Sequence, residues 1–163
     1  MFKKIMSVTA LAVAALSPSF VWAADDALAS IHITANIPNK QFHVQPRNPD
    51  FGKDEYMYYN TVTYDLSSIR QTFDVKNTDG SVHAYLDGRS VLSNGSVLIP
   101  LRVLFNDVLL SEVPQEVVDD ATSTPGTQVE MFIHASHWPI PRTPGLYTGN
   151  FTVIFDAVPR VTL

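Results

Sequence analysis

Cysteine is absent from all 163 residues. That excludes disulfide scaffolds, thiol nucleophiles, Cys-ligated zinc and iron–sulfur clusters. Basic charge is scarce: 11 Lys and Arg stand against 16 Asp and Glu, a net charge of −5. A nucleic-acid binder needs a basic face, so no nucleic-acid partner is expected. No apolar run reaches the roughly 20 residues that a membrane-spanning helix requires. No Gly-x-Ser-x-Gly elbow, phosphate loop or dinucleotide fingerprint occurs, so neither an enzyme nor a cofactor is expected. What is present is enough for one core. Apolar residues make up 45% and charged residues 17%, in a length that fits a single domain.

The N-terminus reads as an export signal. Lys3 and Lys4 are followed by the uncharged, small and apolar stretch from Ile5 to Leu16, broken at Ser17 and Pro18. Val21-Trp22-Ala23 puts small residues at −3 and −1 for cleavage after Ala23, whereas cleavage after Ala24 would put Trp22 at −3. Removing residues 1–23 leaves 140 residues. It takes Lys3 and Lys4 and no acid, so 9 basic residues then face 16 acidic ones. The expected mature chain is an exported, acidic domain held together without disulfides.

Its dominant hydrophobic period is two, the signature of strands. Ile31, Ile33, Ala35 and Ile37 alternate with polar residues and stop at Pro38. Ile69, Phe73 and Val75 share a parity, as do Val82, Ala84 and Leu86. Val97, Ile99, Leu101, Val103 and Phe105 form one face of a long strand, and Val129, Met131, Ile133 and Ala135 another. Tyr147, Gly149, Phe151, Val153, Phe155 and Ala157 close the series. Asp79-Gly80, Asp87-Gly88, Asn94-Gly95, Pro125-Gly126 and Pro144-Gly145 supply turns, and Asn106-Asp107 predicts a two-residue hairpin. About seven short strands with regular turns predict an all-β sandwich. Pro114 to Ala121 is the one helix-tolerant stretch, good for one or two turns. Pro100 lies mid-strand and predicts an edge or a bulge there. Residues 46–55 read as a polar loop.

The polar residues offer little chemistry. His134 and His137 are three apart, but in a strand they point to opposite faces, and Pro139 and Pro141 oppose a helix. No metal site is expected, and His32, His43 and His83 read as solvent-facing. Asp25-Asp26 and Asp119-Asp120 read as solvated acids. Asn94-Gly95-Ser96 and Asn150-Phe151-Thr152 match glycosylation sequons by pattern alone. Tyr56, Tyr58, Tyr59 and Tyr64 either belong to a strand packed on one face or stack on sugars; with Trp138, the first three form a candidate receptor surface.

The strand from Ala27 to Ile37 follows the cleavage site almost at once. It reads either as the first strand of its own sandwich or as a segment that completes the sheet of a neighbouring chain. Three places then give the sequence a family resemblance. They are Ile31-His32-Ile33-Thr34-Ala35-Asn36-Ile37-Pro38, Gly95-Ser96-Val97-Leu98-Ile99-Pro100-Leu101-Arg102-Val103 with Val108-Leu109-Leu110-Ser111 after a polar turn, and Pro144-Gly145-Leu146-Tyr147-Thr148-Gly149-Asn150-Phe151-Thr152-Val153. In this order and spacing they resemble the major pilins of colonisation factor antigen and coli surface antigen fimbriae, built by the alternate chaperone–usher pathway. The likeness runs roughly from Ser30 to Val158.

The resemblance implies an incomplete immunoglobulin-like β-sandwich, completed by a donor strand from a neighbouring subunit. The implied partition is a signal peptide at 1–23, a donor strand at 24–38 and a pilin domain at 39–163. Ile31, Ile33, Ala35 and Ile37 would be the donor residues. Phe151, Val153 and Phe155 would line the acceptor groove, whose second wall the sequence leaves open. The implied partners are copies of the chain itself, a periplasmic chaperone, an outer-membrane usher and a tip adhesin subunit. The implied location is a surface fimbrium that supports adhesion to host surfaces. A single-domain adhesin or carbohydrate-binding sandwich is the alternative.

Overall fold

The computed structural model describes residues 34–35, 41–136 and 143–161. The chain divides into two units, Met1–Asn36 and Ile37–Leu163. In the first, Thr34 and Ala35 are exposed and outside any strand; Ile31, Ile33 and Ile37 lie outside the described residues, as does Trp138.

The second unit is built of strands β1 (Phe42–Pro46), β2 (Tyr59–Asn60), β3 (Asp65–Leu66), β4 (Ile69–Asn77), β5 (Gly80–Asp87), β6 (Val91–Ser93), β7 (Leu98–Phe105), β8 (Val108–Leu109), β9 (Gln115–Val118), β10 (Thr127–Ala135) and β11 (Thr152–Pro159). One short helix, α1 (Asp120–Ser123), follows β9. The first sheet runs β1-β4-β10-β7-β6, with β8 hairpinned onto β7; the second runs β11-β5-β9. Every pairing is antiparallel. In immunoglobulin terms, β1-β4-β10-β7 take the places of strands A, B, E and D, and β11-β5 those of F and C.

The alternation read from sequence is the alternation that is buried. Phe73 and Val75, Val82, Ala84 and Leu86, Ile99, Leu101, Val103 and Phe105, and Val129, Met131 and Ile133 all lie in the core. The Asn106-Asp107 hairpin is also present. Both residues have positive φ, 50° and 63°, the pairing that a tight turn between right-twisted strands demands. The chain changes sheet between β4 and β5 through a corner at 77–80. There Asn77 Nδ2 donates to Ser81 O at 2.7 Å.

Three expectations change. Pro100 is on neither an edge nor a bulge, because β7 has β10 on one side and β6 on the other. It is tolerated because the β10 ladder ends at Ala135↔Leu101, and beyond that rung Pro100 only accepts, from Ser136 N at 2.9 Å. The helix is displaced as well. Val117 and Val118 are both buried in β9, and the helical turn starts only at Asp120, where Asp119 caps it by accepting from Thr122 N at 2.7 Å. Finally, the last strand starts at Thr152, five residues later than its alternation begins. Before it, Thr148 pairs with Ser93 of β6 (N to O 2.8 and 3.0 Å), and Gly149 sits so close to Val91 O that a Cβ there would clash.

Candidate functional site: an open edge between two strands

Two strands end their sheets on the same side of the sandwich. β11 pairs only with β5, and β1 only with β4, among the described residues. β9, the far edge of the small sheet, is tied to the β7–β8 hairpin by Asn106 Nδ2, which donates to Val117 O at 2.6 Å. That leaves β11 toward the β4–β1 side. β1, the end strand of the large sheet, is thus on the side toward which β11 faces.

The side chains along this edge share one property. Val153 and Phe155 of β11, Phe151 just before it, Val44 of β1 and Phe51 beyond it all pack on the core but stay half-exposed. Further inside, Phe73 and Val75 of β4 and Val129, Met131 and Ile133 of β10 are buried, while Ile69 and Ala135 at the strand ends are partly buried as well. Phe155 stands 4.9 Å from Phe105 and 6.2 Å from Phe73, ring centroid to centroid, and Phe51 meets Phe73 edge-on at 5.7 Å. The edge is thus apolar, and among the described residues its two end strands each pair on one side alone. Such an arrangement takes up an extended strand, hydrogen-bonding its main chain and seating alternate side chains. Among the described residues, no strand occupies the position beside β11 that the last strand of an immunoglobulin sandwich fills.

The lower end of β11 is tied down. Arg160 N donates to Asp79 O at 2.7 Å, and its Nη2 donates to Asp120 Oδ1 at 2.7 Å and Thr124 Oγ1 at 3.0 Å. The Thr124 hydroxyl, then Arg160, hold the Asp120 carboxyl below its ordinary range. Asp119 is lowered by its bonds to Thr122. These acids are at the surface, as expected, and in addition hold the α1 corner together. Gly80 is needed there because a Cβ would collide with Val158 O and Arg160 N. The tail that makes these contacts has no hydrophobic signal, so periodicity could not have found it.

The tyrosines lie in the segment between β1 and β4. They do not form a packed strand. Tyr56 and Tyr58 are 70% and 72% exposed, and Tyr59 and Tyr64 are exposed too. The two-residue β2–β3 ladder organises them, with Ser67 N donating to Tyr58 O at 2.8 Å and Tyr64 N donating to Asn60 O at 2.8 Å. On the outer face of the large sheet, Arg70 pairs with Glu130 and stacks over Phe132, whose ring lies on His134. Among the described residues, no group of His, Asp and Glu is arranged to hold a metal.

Comparison with known proteins fits this architecture. The CS1 type fimbrial major subunit family matches residues 27–156. Among solved structures, the CooA pilin subunit from enterotoxigenic Escherichia coli is similar in fold, with a TM-score of 0.51 at 19% identity over 69% of this chain and 86% of that one. No curated protein matches. The matched span, which takes in most of β11, shows that the chain belongs to the CS1 type fimbrial major subunit family and is a structural subunit of a surface fimbria.

Proposed function

We propose that the subunit polymerises by donor-strand exchange. Ile31, Ile33, Ala35 and Ile37 of one copy enter the groove between β11 and β1 of the next, over Phe151, Val153 and Phe155. The observation that carries this reading is the partial exposure of Phe151, Val153 and Phe155 along the end strand β11 and of Val44 in the end strand β1, while the core rings Phe73 and Phe105 are buried. Covering such an edge removes apolar area from water at about 25 cal/mol per Å² and satisfies two rims of backbone groups. Head-to-tail donation is a heterologous contact, so it propagates into an open filament.

In this reading a signal peptide cleaved after Ala23 delivers the chain to the periplasm, and residues 24–38 act as the donor segment of the domain at 39–163. A periplasmic chaperone covers the groove before assembly, an outer-membrane usher exchanges it for the donor, and a tip adhesin subunit caps the filament. The filament brings the cell to host surfaces.

The test is complementation. Residues 28–38 are supplied as a peptide to the domain lacking residues 24–37, kept soluble by its chaperone, and thermal unfolding is followed. A large stabilisation that disappears with Ile33→Asp in the peptide is the expected result. A truncated domain that is stable alone and indifferent to the peptide overturns the proposal.

A second reading has one observation in its favour. The exposure of Tyr56 and Tyr58 suits stacking on a sugar, with Tyr59 and Trp138 completing a receptor surface. Tyrosine-dependent binding of the soluble domain to a glycan array is its test.

A further inference from the structure

The strand directions constrain what must lie against the tyrosine loop. β1 ends at Pro46, and β4 begins at Ile69, so the loop from Arg47 to Ser67 caps one end of the sandwich. β11 begins at that same end, because Thr152 pairs with Asp87, the last residue of β5. The β4–β5 corner at 77–80, the start of β1, α1 and Arg160 occupy the opposite end. Gln41 is pinned there, donating from N to Thr78 Oγ1 at 2.8 Å and accepting from Thr78 N at 3.0 Å.

Now let a donor occupy the groove, as proposed above. All pairings in the domain are antiparallel, and antiparallel pairing is the more stable kind. A donor antiparallel to β11 enters at the corner end and leaves at the tyrosine end. From Ile31 to Ile37 it spans about 20 Å at strand rise, close to the length of the eight-residue β11, so Ile37 emerges near Phe151. Four steps of chain then separate Ile37 from Gln41. At full extension they reach about 14 Å. The donating copy's Thr78 corner is therefore leashed to the acceptor's tyrosine end.

We infer that the loop carrying Tyr56, Tyr58, Val62 and Tyr64 is the docking surface for the 77–80 corner and Arg160 end of the adjoining copy of this chain. This rests on the donor-strand reading and adds a second, end-to-end contact to it. Val62 is 82% exposed in the single subunit, so the end presents a sizeable apolar surface to cover. In the filament, a neighbouring subunit rather than a sugar meets these side chains.

The absence of native cysteine makes the test direct. Tyr58→Cys is introduced into the full chain, and maleimide labelling is timed in the chaperone-held subunit and in assembled filaments. The expected result is labelling at least tenfold slower in filaments, and a ladder of cross-linked oligomers when Asp79→Cys is added with a short bis-maleimide. Val62→Cys gives the same readout where Tyr58→Cys fails to assemble. Filaments that form normally yet label at the subunit's rate overturn the docking surface and leave donor exchange intact; tyrosine-dependent sugar binding by those filaments would assign the loop to the host. Failure of the peptide complementation above removes the donor reading itself, and this inference with it.

Discussion

Phe155 packs its ring 4.9 Å from the fully buried ring of Phe105, yet remains half-exposed itself. The two rings belong to the same aromatic cluster, and only one of them has protein on all sides. That difference predicts an unequal mutational cost. Phe→Ala in a closed core costs about 3–5 kcal/mol. Phe155→Ala should cost clearly less than that in the uncomplemented domain and approach it when residues 28–38 are bound. Denaturant unfolding with and without the peptide measures both values, and equal losses would show that the donor does not cover Phe155.

Gly80 tests how β11 is seated. A Cβ there meets Val158 O and Arg160 N, both backbone atoms, so no side-chain rotation relieves the contact. Gly80→Ala should destabilise by about 3 kcal/mol, the range of forced overpacking. Gly88→Ala is the comparison. It also sits at positive φ, 86°, but meets nothing within 4 Å, so it should cost about 1 kcal/mol of backbone strain. Urea midpoints of the two variants decide the matter.

The sequence revealed the sandwich because a core face imposes strict alternation wherever one side of a strand is buried. Ile99, Leu101, Val103 and Phe105 illustrate it: each is in the core, and their number alone suffices to place β7. The same rule misread β9, since Val117 and Val118 are adjacent and both buried, a pattern that comes from a register shift beside Val82 and His83. It also overextended the last strand, because Tyr147 and Gly149 continue the parity of β11 while Thr148 between them is bonded to Ser93 and Gly149 is pressed against Val91 O. Phe151, Val153 and Phe155 were legible as apolar positions on one face. Their partial exposure depends on β11 ending its sheet, and no local pattern encodes that.

Asn106 carries two duties that can be separated. Its positive φ makes the β7–β8 turn, and its side chain ties that turn to Val117 O of β9. Asn106→Gly keeps the turn and loses the tie, at about 1 kcal/mol for one hydrogen bond. Asn106→Ala loses both and should cost about 2 kcal/mol. If the two variants unfold at the same urea concentration, the strained backbone contributes nothing measurable.

Acid should loosen the end of β11 before it unfolds the core. The Asp120 carboxyl is held below its ordinary value by the Thr124 hydroxyl and by Arg160, and Asp119 by its bonds to Thr122. A carboxyl whose folded value is depressed binds its proton less readily in the folded than in the unfolded state. Its contribution is therefore complete above the unfolded value of 3.8 and lost as pH falls through the lower folded value. Both groups are on the surface, so the effect is local and modest. Hydrogen exchange at Ala157, Val158 and Arg160 should accelerate as pH falls below about 4, after correction for intrinsic rates, while Val103 and Ile133 stay protected. Asp120→Asn should show the faster exchange already at neutral pH and lose much of the acid response, since Arg160 then has no carboxylate to hold. An unchanged exchange rate in Asp120→Asn would mean that the main-chain bond from Arg160 N to Asp79 O secures the strand end by itself.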